Sequence, residues 1–240
     1  MTAQDNDQKT RIFATIGPSS NSKEVLKEMI DAGMDVIRIN SAYGNTAQYE
    51  EILKNLSSVD NDNKVKRLFD IKGLEKLDFC KKNNFEFIAV SFTENKEQIL
   101  EVKDICPNAF VIAKIESVNG VRNYKEILDV TDGIMIARGD LGNAVTIEKV
   151  PPLQKKFIKM ALEENKFVVA ATEMLMSMVH SETPTNAEVS DVANAVFDGA
   201  HAVMLSEETA IGEFPVASVA YMRKIIDQAE TWCNTHECRI

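Results

Sequence analysis

Residues 110–142 read FVIAKIESVNGVRNYKEILDVTDGIMIARGDLG. Phe110–Ile115 and Gly133–Ala137 are short runs rich in β-branched residues. Between them, Val121–Leu128 carries apolar residues three and four apart, the spacing of a helix with one buried face. Strand, helix and strand in direct succession mark a parallel α/β architecture. The same alternation extends in both directions. Further strands are expected at Ile12–Ile16, Val36–Ile39, Lys66–Asp70, Phe85–Ser91, Phe167–Thr172 and His201–Leu205. Most are apolar continuously, as strands covered on both faces must be; Lys66–Asp70 is the least apolar. Helical spacing recurs over Ser22–Ile30, Thr46–Leu56, Leu74–Lys82, Glu97–Ile105, Thr146–Asn165, Asn186–Phe197 and Val216–Ala229. Eight strands with eight helices fit a closed (β/α)₈ TIM barrel better than an open sheet. The 240 residues, without linker or repeat, match the roughly 250 typical of one such domain.

Composition narrows the partners. A net charge of −10 and the lack of any basic cluster argue against nucleic acid and anionic membrane surfaces. No apolar run approaches the length of a membrane span, and the polar N-terminus lacks the apolar core of a signal peptide. Cys80, Cys106, Cys233 and Cys238 show no disulfide-framework spacing, so a reduced, cytoplasmic setting is expected. Cys233, His236 and Cys238 are metal-capable by type, but their place on a tail reads as incidental.

In a βα barrel, ligand-binding groups sit at the C-terminal ends of the strands. Strand five ends Lys114-Ile115-Glu116, and alternation turns Lys114 and Glu116 toward the barrel axis. The plain reading is an internal ion pair. Strand six ends Arg138-Gly139-Asp140-Leu141-Gly142, read as a glycine-rich turn whose amides face an anion. Asp140 arrives beside Glu116, since consecutive strands are neighbours. Two carboxylates without His or Cys suit a hard cation, Mg²⁺ or Mn²⁺. Thr172 closes strand seven, Ser206 and Glu208 follow strand eight, and Arg38-Ile39-Asn40 ends strand two. Arg38 is a candidate clamp for phosphate or carboxylate, although a rim Arg is ordinarily a solvated charge.

These segments together resemble the pyruvate kinase family. Lys9-Thr10-Arg11-Ile12-Phe13-Ala14-Thr15-Ile16-Gly17-Pro18 is similar to its first strand, Arg38-Ile39-Asn40-Ser41-Ala42-Tyr43-Gly44 to its RxNFSHG motif, and Phe69-Asp70-Ile71-Lys72-Gly73 to DTKGPE. Ala113-Lys114-Ile115-Glu116, Ala137-Arg138-Gly139-Asp140-Leu141-Gly142 and Ala171-Thr172-Glu173-Met174-Leu175 follow in family order. The run from Pro184 to Val196 is the nearest match. The resemblance covers roughly residues 9–230. It implies a phosphoenolpyruvate/pyruvate-type barrel in which Glu116 and Asp140 ligate Mg²⁺. Lys114 would neutralise phosphoryl or enolate charge. Thr172 and the amides of Gly139 and Asp140 would hold a ligand carboxylate, and Arg38 would meet a phosphoryl group. Asn40 and Asp70 match two positions of a K⁺ site whose third ligand is replaced by Ala42.

Departures from the pattern shape the functional reading. Gly73 runs almost directly into the following helix, so the family's lid domain is expected to be absent. The chain also ends soon after the eighth helix, so a catalytic barrel without the family's C-terminal domain is expected. Tyr43 stands in place of a His associated with nucleotide, Glu173 in place of Gln, and Ser206-Glu207-Glu208-Thr209-Ala210 in place of SGETA. Thr183 and Asn186 replace the two Arg of RPTR. Three readings stay open: metal-dependent enolate chemistry on pyruvate or a related 2-keto acid (proton exchange, decarboxylation or aldol reaction), a phosphotransferase with residual activity, and a non-catalytic keto-acid-binding or sensor module. A barrel without its cover is also a candidate for self-association into a homo-oligomer.

Overall fold

The structure, a computed structural model, describes residues 9–235. His236 and Cys238 therefore lie outside the described residues. Eight parallel strands close into a barrel in sequence order: β1 (Arg11–Thr15), β2 (Val36–Asn40), β3 (Lys66–Ile71), β4 (Phe87–Val90), β5 (Phe110–Ile115), β6 (Gly133–Ala137), β7 (Phe167–Ala171) and β8 (Ala202–Leu205). β8 returns to β1, pairing Ala202 with Arg11 and Leu205 with Ala14. The polar start of β3 does not prevent pairing, because Lys66 and Arg67 lie at its outer end against Glu86.

Two apolar layers follow from the two faces of each strand. On β5, Val111, Ala113 and Ile115 pack outward against the helices, while Ile112 points inward beside Phe13, Leu68, Phe87, Met135, Val169 and Met204. That alternation obliges Lys114 to continue the inward row. The lower interior is filled by aromatic rings. Phe87 lies 5.7 Å from Phe13 and 5.6 Å from Phe110, and Phe110 lies 5.9 Å from Phe167, centroid to centroid. With this end plugged, polar groups find room only at the C-terminal mouth.

Three stretches fold differently from the sequence expectation, each for a local reason. The helix expected over Val121–Leu128 is two helices, Val118–Arg122 and Tyr124–Val130. Ser117 caps the first one early through the Gly120 amide, and the Asn123 side chain donates to Glu94 O at 2.7 Å, interrupting the path. Gly120 is required there, since a Cβ would lie 2.7 Å from Thr93 O. The expected helix Thr146–Asn165 begins as a 3₁₀ turn, Ile147–Lys149, and becomes α-helical only at Val150–Glu163. Pro151 and Pro152 sit in its first turn, where their missing N–H groups cost nothing. Finally, the segment read as a glycine-rich turn after β6 is a helix, Arg138–Val145.

The link from β3 to the next helix, Leu77–Asn83, is only residues 72–76. Gly73 makes it so short by adopting φ +141°, a conformation closed to other residues without strain. No covering domain intervenes.

Truncating Phe87 to Ala should remove the centre of the aromatic plug and lower unfolding free energy by about 3–5 kcal/mol. Urea denaturation followed by circular dichroism measures this, and a loss below about 1 kcal/mol would show that the plug contributes little.

Candidate active site at the C-terminal mouth

The inward rows of β2, β3 and β5 end in Arg38, Asp70 and Lys114, with Glu116 one step beyond. All four are nearly inaccessible, at 6%, 1%, 6% and 2% exposure. Arg38 donates to Asp70 Oδ2 through Nε at 3.0 Å and Nη2 at 2.7 Å, and to Thr15 Oγ1 through Nη1 at 2.9 Å. Lys114 Nζ lies 3.0 Å from Asp70 Oδ2 and 2.9 Å from Glu116 Oε1. Ser91, just past β4, donates to Asp70 Oδ1 at 2.8 Å and accepts from Lys114 at 3.1 Å. Charges therefore alternate: Arg38, Asp70, Lys114, Glu116. Arg38 is thus a buried, paired guanidinium rather than a solvated rim charge.

The two carboxylates respond differently to this arrangement. Burial works against ionisation of Asp70, but Lys114 and Arg38 outweigh it and hold the carboxyl below the usual range. Burial also dominates at Glu116, where Lys114 and the Phe92 amide, 2.7 Å from Oε2, only partly oppose it; its carboxyl is pushed up. Glu116 is the carboxylate short of positive charge. A further cation placed beside it would be stabilised. Asp140 is exposed on the first turn of the helix after β6. The two offer hard oxygen donors from consecutive strands, the pattern in which Mg²⁺ takes one or two carboxylates and fills its other positions with ligand oxygens and water. Among the described residues, no group of three or more His, Cys, Asp or Glu stands ready for a metal.

Asn40 and Asp70 are register partners at the ends of β2 and β3. Asn40 Oδ1 accepts from Ala42 N at 3.1 Å within its own loop. Asp70 faces two protein cations, Arg38 and Lys114.

On the opposite wall, the chain leaves β7 through two strained residues. Thr172 has φ +68° and Glu173 φ +53°, left-handed values that a β-branched side chain resists. Arg138 holds them there. Its Nε and Nη2 donate to Thr172 O at 3.1 and 2.8 Å, Nη2 also donates to Glu173 O at 2.7 Å, and Nη1 reaches Asp191 Oδ2 at 2.6 Å. This turn brings Thr172 Oγ1 to the Gly139 amide at 2.8 Å, uniting two of the expected ligand-holding groups. Glu208 is fully buried and faces the backbone. Its Oε1 accepts from Leu175 N at 3.0 Å and its Oε2 from Ser206 N at 2.7 Å, tying the β7 turn to the end of β8. Burial pushes its carboxyl up despite those amides.

Ser91, Phe92, Arg138 and Asp191 complete the site without having been singled out from sequence. Ser91 was within reach of alternation, two residues beyond the inward Ala89. The Arg138 bonds depend on the left-handed turn, which no residue type announces.

Comparison with known proteins places the chain among relatives of one kind. The family model described as the pyruvate kinase barrel domain matches residues 7–76 and 70–219, with its break on the short β3 connection. A pyruvate kinase from Thermococcus litoralis is 32% identical across 93% of this chain and 70% of its own length. One from Clostridium perfringens is 30% identical over the same shares. One from Chlamydia trachomatis serovar D is 45% identical over 69% of this chain and 35% of its own length. The first two alignments run over 333 and 334 positions, more than this chain of 240 residues can fill.

Arg138→Ala should release the Thr172–Glu173 turn and destabilise the protein by about 2–4 kcal/mol, the range for losing several charge-assisted bonds to buried carbonyls. Arg138→Lys should recover only part of this, because a point charge lacks the planar fork. Urea midpoints report stability, and limited proteolysis reports loosening of the turn. An unchanged midpoint with no new cleavage at residues 172–177 would contradict the assignment.

Proposed function

This chain belongs to the pyruvate kinase family, and from that premise we propose that its mouth binds pyruvate, phosphoenolpyruvate or a related 2-keto acid with a divalent cation and performs enolate chemistry. The observation that carries the reading is the buried alternation ending at Glu116, with an ammonium fixed between two carboxylates and one carboxylate left undercompensated. Glu116 and Asp140 would hold Mg²⁺ or Mn²⁺. A cation held by these residues would supply electron withdrawal from a bound 2-keto acid.

The chain's own groups then divide the work. Once Glu116 is taken by the cation, Lys114 Nζ would turn the N–H that now faces Glu116 to the substrate oxygen as negative charge grows on it, an interaction stronger in the transition state than in the ground state. Asp70 and Ser91 fix the direction of that ammonium, and Arg38 fixes Asp70. The Thr172 hydroxyl and the Asp140 amide, with the Gly139 amide released from its bond to Thr172 Oγ1, would hold the substrate carboxylate at the start of the helix, where the dipole favours an anion. Arg138 and Glu208 act at one remove, by holding the turn that presents Thr172. Ser206, beside Glu208, lines the edge of the mouth.

Enolate formation tolerates water better than phosphoryl transfer, which needs donor and acceptor aligned and the site closed. With residues 72–76 alone bridging β3 to its helix, the enolate reading is favoured. Family membership itself keeps one competitor: phosphotransfer from phosphoenolpyruvate to ADP, decided by a coupled assay for ATP.

Pyruvate in heavy water with Mg²⁺ should lose methyl protons faster with the protein than without, and Lys114→Ala should lower the protein-dependent rate by roughly 100-fold. Proton NMR follows the exchange. Equal rates for wild type and Lys114→Ala would reject the mechanism. Mn²⁺ binding, read by electron paramagnetic resonance, should weaken by about tenfold or more in Glu116→Gln; unchanged affinity would remove Glu116 from the cation site.

A further inference from the structure

The short connection after β3, residues 72–76, begins and ends with lysine, and the two are held differently. Lys76 is half-buried, and its Nζ donates to Ser41 O at 2.6 Å and to Tyr49 Oη at 3.2 Å, fixing the loop after β2. Lys72 is exposed and, among the described residues, has neither an ion pair nor a side-chain hydrogen bond. Its ammonium rests over the Phe92 ring, 5.6 Å from the centroid. At an exposed position such a contact is weak and is readily exchanged for an anion.

That resting place is tied to the ion network. Phe92 has φ +49°, a left-handed value that a bulky side chain resists. Glu116 sustains it, because Oε2 accepts the Phe92 amide at 2.7 Å. Ser91 N donates to Ile71 O at 2.8 Å, which clamps the ends of β3 and β4 just below Lys72 and Phe92. On β3, Leu68 and Asp70 lie in the inward row, and Lys72 is the next position of that row. Lys72 therefore stands at the lip of the mouth, one step above Asp70.

The layout of the mouth gives this lysine something to hold. In the closed strand order β3 lies opposite β7, four strands away in either direction. With a ligand carboxylate at Thr172 after β7 and the reacting oxygen at Lys114 on β5, the rest of a small acid extends over Asp70 toward β3. The network below it is neutral, because Arg38 and Lys114 balance Asp70 and Glu116. Arg38 keeps one uncommitted N–H on each of Nη1 and Nη2. A second anion at this wall needs a further cation, and Lys72 has no carboxylate of its own to leave.

We propose that Lys72 is a specificity-determining residue of the mouth: its ammonium leaves the Phe92 ring to grip a second anionic group on the substrate, carboxylate or phosphoryl. The mouth thereby selects small acids with two anionic groups over those with one. This assignment rests on the keto-acid reading of the mouth and adds to it the class of substrate and the residue that reads it.

The test uses the full chain with Mg²⁺ and two pairs of unreactive 2-hydroxy acids, each pair differing by one anionic group: lactate against malate, and glycolate against phosphoglycolate. By calorimetry, the second member of a pair should bind at least roughly tenfold more tightly than the first. A preference in one pair alone identifies the gripped group as carboxylate or as phosphoryl. Lys72→Ala should bring the members of that pair to within roughly threefold of each other, and Lys72→Arg should restore the preference. Circular dichroism checks the fold of both variants. The Lys72 ε-methylene signals, displaced by the ring current of Phe92, should move toward ordinary lysine values with the doubly anionic ligand and stay in place with its partner. A preference that survives Lys72→Ala overturns the proposal, as does no preference in the wild type, or ε-methylene signals that respond to all four acids alike. Pyruvate proton exchange in the same wild-type preparation separates the two readings. Exchange without a preference sinks the Lys72 assignment alone, and a Lys72-dependent preference without exchange sinks the enolate chemistry alone.

Discussion

A buried ammonium needs counter-charge within a few ångströms, because desolvation otherwise strips its proton or unfolds its site. Lys114 meets that requirement from two sides, with Asp70 and Glu116 at 3.0 and 2.9 Å. The rest of the mouth is arranged around this fact. Lys114 is shared between two carboxylates, so Arg38 completes the compensation of Asp70, and Nη1 of Arg38 donates to Thr15, whose hydroxyl in turn donates to Leu205 O at 2.9 Å. The chain of dependence runs from β5 through β3 and β2 to β1 and β8. It crosses most of the barrel, and removing one ion would strand its neighbour. Of the two carboxylates, Glu116 lies at the end of the chain with one cation instead of two, so burial outweighs its partners and raises its carboxyl.

The opposite wall is held by a different device. A left-handed Thr172 and Glu173 store strain that relaxation would release, taking the threonine hydroxyl out of reach of Gly139. Arg138 opposes this from below by taking both carbonyls, and Glu208 opposes it from the side by taking the Leu175 amide. Both are charged, both are buried, and neither points its charge at the mouth. Residues of this kind are easily taken for catalytic groups when only their types and order are visible.

The barrel itself was legible because continuous apolar strands and helical spacing repeat eight times, and period-two alternation correctly turned Lys114 and Glu116 inward. Element ends were less legible where a side chain competes with the backbone, as at Ser117 and Asn123, or where glycine content suggested a turn and the chain wound a helix, as at Arg138–Val145. Among site residues, Asp70 came only from the family resemblance, and there as a cation ligand, while the strand-end rule reached Arg38, Lys114, Glu116 and Thr172. It passed over Arg138, because the need for that guanidinium arises from the backbone of a segment more than thirty residues away. It also left the orientation of Glu208 unread, since a carboxylate after a strand looks the same whether it faces a ligand or an amide.

A short connection after β3 changes what the mouth can do with water. Where a cover closes over reacting phosphoryl groups, expelled solvent strengthens every charge inside and prevents hydrolysis. Here the strong electrostatics are already sealed below the rim, in residues at most 6% exposed, while the surface above carries exposed apolar side chains such as Tyr43, Phe92 and Ile211. The network therefore keeps its low-dielectric character without a lid, and the solvent-facing level keeps none of it. Charge stabilisation at Lys114, which lies below that level, survives such an open geometry. From the network itself, an extended anionic donor above that level would be left the two N–H groups that Nη1 and Nη2 of Arg38 keep beyond their bonds to Thr15 and Asp70. The depth at which each charge sits, more than the number of charges, is what the proposed enolate chemistry would draw on.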